Sequence, residues 1–446
     1  MVRTVGYVEL FRDNRDFRNL FAGRIVSLFG DWFNLLAILA MLRAFGDVSA
    51  TGFAVVLILK SLPGVLAPLG GVLADRLPRR NLMVAADLGR AWVVYAMLGL
   101  VFVPNVTLLY TLVVIQTLLS AVFEPARNAL FPDLVRSEEL TAANAVSAAT
   151  WSLMLAVGAA TGGLFTDLLG WELALLLDAV SYLVSAVFLM RIREPAVERA
   201  PRAPAKTLFE MLGLRDLWNG AVWMLQRPRV WSLALIKPTW SLTGARTLVL
   251  TLLGETAFQM AGWPFLSVAA LYVARGIGTG VGPFVSRWLT QSEPRSMERA
   301  VLVSLGMCMV GYTLLGFAPS LPIAAALLIF AHLGGATIWV FSTIRLQQLT
   351  PSVVRGRVFS TEHAAFTFTL ALSNGVFGQV GDQFGDALGA VLGPWIPWAE
   401  PAGLAARSLA IGLGLVTLLP LTMWALRGWW LGYGHSDDAL DDARAA

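Results

Sequence analysis

Asp31 is the residue of this chain best placed to do chemistry. It falls near the middle of an apolar run, and Arg24, Ser27, Asp31 and Asn34 recur at three- and four-residue spacing. On a helix that spacing puts all four on one face. A carboxylate held away from bulk water on such a face can exchange protons or bind a cation. The other reading of the same residues is a structural ion pair of Asp31 with Arg24 or Lys60, and both stay open at this level.

Lysine usage adds a second clue. The chain has three Lys against 30 Arg, and Lys60 and Lys237 fall inside apolar runs. A buried lysine can lose its proton or pair with an anion, which arginine does less readily. Lys60 reads as a contact for an acidic group of a bound molecule, and Lys237 as a fixed pair or a snorkelling side chain. Arg246, Glu255 and Arg275 are further charges inside apolar runs. Asp87 and Arg90, three apart, read as a salt bridge on one helix face. His332 titrates near neutral pH in its ordinary state, but a lone histidine also serves as a hydrogen-bonded packing residue. Glu362 and His363 form a second titratable pair. Gln116, Trp151, Trp240, Phe366, Phe368 and Asn374 are candidates to line a cavity, alongside the reading that the aromatics only pack or anchor at an interface.

These groups need elements to carry them. Of 446 residues, 57% are apolar and 14% charged, against about 25% charged in an ordinary soluble domain. That balance excludes a disordered chain and a nucleic-acid-binding protein, and it disfavours a soluble enzyme, because a single core stops growing near roughly 250–300 residues. A lipid bilayer is the natural cover for such a surface. Runs long enough to span it lie near 18–42, 49–74, 81–103, 106–127, 140–168 and 171–191, then near 230–256, 263–289, 299–317, 320–346, 357–385 and 404–429. The first run is too long, and its flank too charged, for a cleavable signal peptide. Most of the 33 basic residues fall in the N-terminus, the even-to-odd loops and the C-terminus, so both termini are expected in the cytoplasm. Cys308 is the only cysteine, which excludes an internal disulfide and a thiolate metal cage.

The expected organisation is an N-terminal six-helix bundle over 1–191 and a C-terminal one over 230–429. A cytoplasmic linker over 192–229 separates them, and a tail over 430–446 follows. The linker becomes amphipathic at Leu208, Met211, Leu212, Leu214, Leu217 and Trp218, as a helix on a membrane face would. The halves echo one another. Gly71-Val72-Leu73-Ala74-Asp75-Arg76 is matched by Gly282-Pro283-Phe284-Val285-Ser286-Arg287, and Pro132–Arg136 by Pro351–Arg355, in order and at similar offsets. Parallel six-helix repeats are a transporter signature.

The stretch from Gly71 through Arg76, Arg79 and Arg80 resembles the loop motif of the major facilitator superfamily, Gly-x-Leu-Ala-Asp-Arg-x-Gly-Arg-Arg/Lys, with Pro78 in place of the second glycine. Phe123-Glu124-Pro125-Ala126-Arg127, Leu140–Asn144, Asp87–Arg90 and Ala274–Gly278 are similar to its drug:proton antiporter-3 group, which includes macrolide and siderophore exporters. The superfamily's antiporters often carry Gly-Pro-x-x-Gly-Gly in the fifth helix, and this chain has Ala159 at the proline position of Gly158–Gly163. The resemblance implies an all-α membrane protein of twelve transmembrane helices in two pseudo-symmetric bundles. It implies alternating access and a cytoplasmic latch built from Gly71, Asp75, Arg76, Arg79, Arg80, Glu124, Arg127 and Arg136.

The expected activity is therefore secondary active export of an amphiphilic small molecule, by proton antiport through Asp31, with Asn34, Lys60, Gln116, Trp240, His332, Phe366 and Asn374 facing the substrate. A lipid or lysophospholipid carrier of the same fold is the rival, and a non-transporting sensor or scaffold a more distant one. No cofactor and no metal is expected beyond the coupling ion H+, since the chain has no Gly-x4-Gly-Lys-Ser/Thr loop, His-Glu-x-x-His helix or Gly-x-Ser-x-Gly elbow. A monomer in the bacterial inner membrane is expected, with no enzymatic activity.

Overall fold

A computed structural model describes residues 7–47, 49–136, 138–194, 214–260, 262–291 and 293–433. Among the described residues there are helices and turns and no strands. A short α1 (Tyr7–Asp13) leads into α2 (Arg15–Ala44), whose first turn is capped by Asn14, its side chain accepting from the Phe17 amide. Then come α3 (Ala50–Arg76), α4 (Arg79–Leu98), α5 (Val106–Leu134) and α6 (Leu140–Met190). Asn105 caps α5 in the same way as Asn14 caps α2. Such caps satisfy amides that no carbonyl in the helix can reach.

Eight helical stretches among the described residues are long and apolar enough to cross a bilayer. One of them, Thr150–Met190, is two crossings. Its helix is broken at Gly170, whose φ of 81° lies in the left-handed region that favours glycine. This break falls between the fifth and sixth apolar runs of the sequence. Three further crossings are α3, a segmented helix, and the more polar α14 (Ser352–Leu392). The chain therefore carries twelve membrane helices among its described residues.

The seventh crossing differs from the single helix expected over 230–256. It consists of α8 (Pro228–Ala234), α9 (Ile236–Trp240), a 3-10 turn, α10 (Arg246–Leu252) and a π turn at Leu253–Ala257. Pro238 lacks an amide hydrogen, and Gly244 and Gly254 sit against neighbours too close for a side chain. A Cβ on Gly254 would stand 2.7 Å from the backbone of Val268. The twelfth crossing is divided as well, into α15 (Leu404–Val416) and α16 (Leu418–Leu431). Pro420 cannot donate back to Val416, so the ladder breaks at Thr417. Between these lie α11 (Pro264–Thr290), α12 (Pro294–Gly316) and α13 (Leu321–Leu349).

The amphipathic linker helix is α7 (Leu214–Leu225), and it rests on α14. Leu217 offers its carbonyl to the Thr361 hydroxyl at 3.0 Å. Leu208, Met211 and Leu212 lie outside the described residues, as does the tail beyond Tyr433.

The described helices form two compact units. One comprises Met1–Val48 with Leu62–Gly213, and the other Ser49–Ser61 with Leu214–Ala446. The first half of α3 thus packs with the second unit. The carboxylate of Asp382 in α14 caps α3 by accepting the Ala50 and Thr51 amides at 2.8 and 2.9 Å. Gly378 lets the two helices approach, since a Cβ there would sit 2.7 Å from the Ala54 methyl.

Candidate functional site

In the first unit, α2 lies along α6. Gly30 makes this possible: a Cβ on it would stand 2.0 Å from Ser181 Oγ and 2.6 Å from Asp178 Oδ1. The close approach brings the next residue, Asp31, to Tyr182, whose hydroxyl donates to Asp31 Oδ1 at 2.6 Å. Gln116 of α5 reaches the same hydroxyl at 3.3 Å. Arg90 of α4 lies over the rings of Tyr182 and Phe123, each at 4.4 Å, and pairs with the fully buried Asp87. Four helices thus converge on one carboxylate. Gln116 donates to Tyr182, and Tyr182 donates to Asp31. A carboxylate only accepts, but a protonated carboxyl also donates. A proton on Asp31 would remove the charge that the Tyr182 hydroxyl donates to.

Arg24 shares the face of Asp31 but pairs elsewhere. It lies 2.7 Å from Glu124 of α5, which also holds Arg127 at 3.0 Å. The ion pair of Asp31 with Arg24 that the spacing allowed is not formed. Arg24 and Arg127 line a pocket of about 110 Å³ with Leu28, Phe131, Thr150 and Trp151. Trp151, a cavity candidate from sequence, lies on this pocket. Asn34 is fully buried.

The basic residues of the loop motif hold neighbours within this unit. Arg79 reaches Asp133 at 2.5 Å and the Ala129 carbonyl at 2.8 Å. Arg80 reaches the Ile192 carbonyl at 3.2 Å. Glu194 caps α4, accepting the Arg79 and Arg80 amides at 2.9 and 3.1 Å. Arg76 is exposed. Gly71 lies within α3, and the side chain of Asp75 lies outside the described residues. Arg136 pairs with Glu139 at 2.7 Å. Burial acts to raise the Glu139 pKa, but hydrogen bonds from the Arg136 side chain and amide and from Asn14 outweigh it and hold the carboxyl below its ordinary value.

In the second unit Lys237 is a fixed pair. Its Nζ lies 2.9 Å from Glu362 Oε1, both side chains are buried, and the ammonium sits 4.5 Å above the Trp339 ring. Phe366 packs edge-on against Trp339 and stacks on His363. Phe368 is exposed. His332 is buried and shares a hydrogen bond with Tyr312 at 2.7 Å. Asn374 donates to the Leu370 carbonyl. Lys60 lies on the part of α3 that packs with this unit. Arg246 lies over Trp240 at 3.9 Å, Arg275 reaches Thr247 at 2.7 Å, and Glu255 is buried in the π turn.

Sequence reasoning did not single out Tyr182, Glu298, Arg345 or Arg427. Glu298 of α12 is buried and bridges Arg345 at 2.9 Å and Arg427 at 2.6 Å. For Tyr182 a signal existed: Asp178, Ser181, Tyr182 and Ser185 form a polar stripe at helical spacing in an apolar run.

A family profile described as the Major Facilitator Superfamily matches residues 20–373. The chain belongs to this superfamily. Its relatives include the uncharacterized MFS-type transporter YfiS of Bacillus subtilis, 24% identical over 92% of this chain and 94% of that protein. BacE of Bacillus amyloliquefaciens, whose name proposes it as a bacilysin exporter, is 29% identical over 80% of this chain and 86% of its own length. Macrolide efflux protein A of Streptococcus pyogenes is 30% identical over 40% of this chain and 45% of that protein. Among solved structures, a bacterial homologue of the human lysosomal transporter Spinster superposes with a TM-score of 0.72 over 93% of this chain and 97% of that one, at 14% identity. That likeness establishes the fold. The chain is a multi-pass membrane transporter with relatives named as exporters.

Proposed function

We propose that this chain exports an amphiphilic small molecule from a bacterial cell by alternating access, with protons entering as the cargo leaves and Asp31 as the coupling carboxylate. The reading places the protein in the inner membrane as a monomer, with both termini in the cytoplasm, because most of its basic loops then face inward. The observation that carries it is the Gln116–Tyr182–Asp31 chain of hydrogen bonds beneath the Arg90 guanidinium. On this reading a proton taken up at Asp31 removes the charge that Tyr182 donates to, and so ties proton occupancy to the contact of α2 with α6. The relatives named for efflux support the direction.

A susceptibility screen in a pump-deficient bacterial host identifies a cargo. In proteoliposomes an imposed proton gradient then drives movement of that cargo by the wild type, and Asp31→Asn loses the drive while still reaching the membrane. Movement indifferent to the gradient, or undiminished in Asp31→Asn, refutes the proposal.

A further inference from the structure

The second unit holds a cluster of positive charge that its own acids do not neutralise. Arg246 of α10 is 5% exposed. Its guanidinium carbon lies over the Trp240 indole, 3.9 Å from the ring centroid, and its polar contact is Thr243 Oγ1 at 3.5 Å. Arg275 of α11 is half-buried and held by Thr247 Oγ1 at 2.7 Å. The two guanidinium groups act electrostatically on one another and on His332 of α13. Among the described residues neither guanidinium has a carboxylate within 4.0 Å. By contrast Arg24, Arg90, Lys237, Arg345 and Arg427 all have one.

The remaining polar groups are also short of acceptors. The Trp240 indole N–H is buried and meets no oxygen or nitrogen acceptor, only the Cys308 sulfur, a weak one. Tyr312 and His332 satisfy each other. Gly335 lets the backbone of α13 close on the indole, where a Cβ would come within 3.1 Å of the Trp240 ring. A buried guanidinium without a counter-charge is costly, because charge inside the bilayer is expensive even when partly solvated. An N–H left with only a weak acceptor adds to that cost. One occupant relieves both, a group with negative charge and several acceptor lone pairs.

We propose that Arg246, Arg275 and the Trp240 N–H form a binding site for an anionic group, a carboxylate or comparable oxyanion, borne on an aromatic or apolar body that packs against Trp240. Arginine provides the paired donors that match a carboxylate. The naming of the bearer as cargo rests on the export reading above; the binding itself does not.

The test uses the full chain in nanodiscs of phosphatidylcholine, with radiolabelled benzoate as probe and empty nanodiscs as control. Wild-type protein binds benzoate saturably, and unlabelled benzamide, its neutral counterpart, does not displace it. Arg246→Gln and Arg275→Gln each weaken binding at least tenfold, and Arg246→Lys, which keeps the charge, retains part of it. Displacement by chloride or phosphate at lower concentration than by benzoate assigns the anion site to a small inorganic ion; weaker displacement assigns it to a cargo carboxylate. Absence of saturable binding, displacement by benzamide as readily as by benzoate, or tight binding by monodisperse Arg246→Gln overturns the proposal. Asp31→Asn keeps its benzoate binding even where it abolishes proton-driven transport, so the two proposals fail separately.

Discussion

Glu298→Gln isolates the interaction that ties three helices of the second unit together. The carboxylate of Glu298 contacts Arg345 of α13 at 2.9 Å and Arg427 of α16 at 2.6 Å, and the Glu298 carbonyl accepts from the Trp424 indole at 3.0 Å. Glu298 is 1% exposed, Arg345 3% and Arg427 8%. Removing one member of a buried ion pair costs about 3–5 kcal/mol, because the partner is left charged and buried. Here two cations are left, but each keeps other contacts: Arg345 with Gln348 at 2.6 Å, Arg427 with Ser232 at 3.1 Å and with the Trp424 ring at 4.3 Å. The lower end, about 3 kcal/mol, is therefore expected. For a unit of this size each kcal/mol is worth roughly 2–4 °C in melting temperature, so the expected fall is roughly 6–12 °C. Cys308 provides the readout. It is the only thiol in the chain, it is 2% exposed, and it belongs to the same core as Trp424, Met297 and Val301. A thiol-reactive fluorophore therefore reports the opening of this core on heating in detergent. Replacing the whole network by apolar residues of similar volume (Glu298→Met, Arg345→Met, Arg427→Leu) recovers most of the loss, since no buried charge is then left without a partner. A melting temperature for Glu298→Gln within 2 °C of wild type, on the order of 1 kcal/mol or less, refutes the assignment of a buried structural network.

Three further outcomes follow from the first unit. Gly30→Ala forces a methyl into Ser181 and Asp178 and destabilises the α2–α6 contact by about 1–3 kcal/mol, seen as earlier loss of monodisperse protein in size-exclusion runs after heating; unchanged heat tolerance counts against the close approach. Glu139 has a depressed pKa in the folded chain, so its stabilisation is present above the ordinary glutamate value near roughly 4.3 and is lost as pH falls through the folded value. Protection against hydrogen exchange at 138–144, relative to the intrinsic rate at each pH, is expected to fall on acidification in the wild type, with that acid-dependent component absent in Glu139→Gln; identical profiles reject the tie. Asp75→Asn is expected to lower transport while leaving membrane insertion intact, by analogy with the superfamily's latch, and full transport by this variant removes the latch.

Local features were legible because they depend on spacing along one helix. The twelve apolar runs, the turn between the fifth and sixth, and the Asp87–Arg90 pair all follow from short-range periodicity. The segmentation of the seventh crossing was less legible, although Pro238 and Gly244 stand in its sequence. A proline or glycine in a membrane helix is often absorbed by neighbours, and the break is realised only where Val268 and Leu370 press on the glycines.

The sequence by itself determined that this chain is a membrane protein of many helices, which family its motifs resemble, and which charges lie where charge is expensive. The tertiary structure decided their partners. Asp31 faces Tyr182, 151 residues away, rather than Arg24 about two turns before it on the same helix. Lys237 meets Glu362, while Arg246 and Arg275 meet no acid among the described residues. Partners across helices depend on how each helix is rotated and how closely it approaches its neighbour. Small residues such as Gly30 set that approach, through contacts that no spacing within one segment encodes.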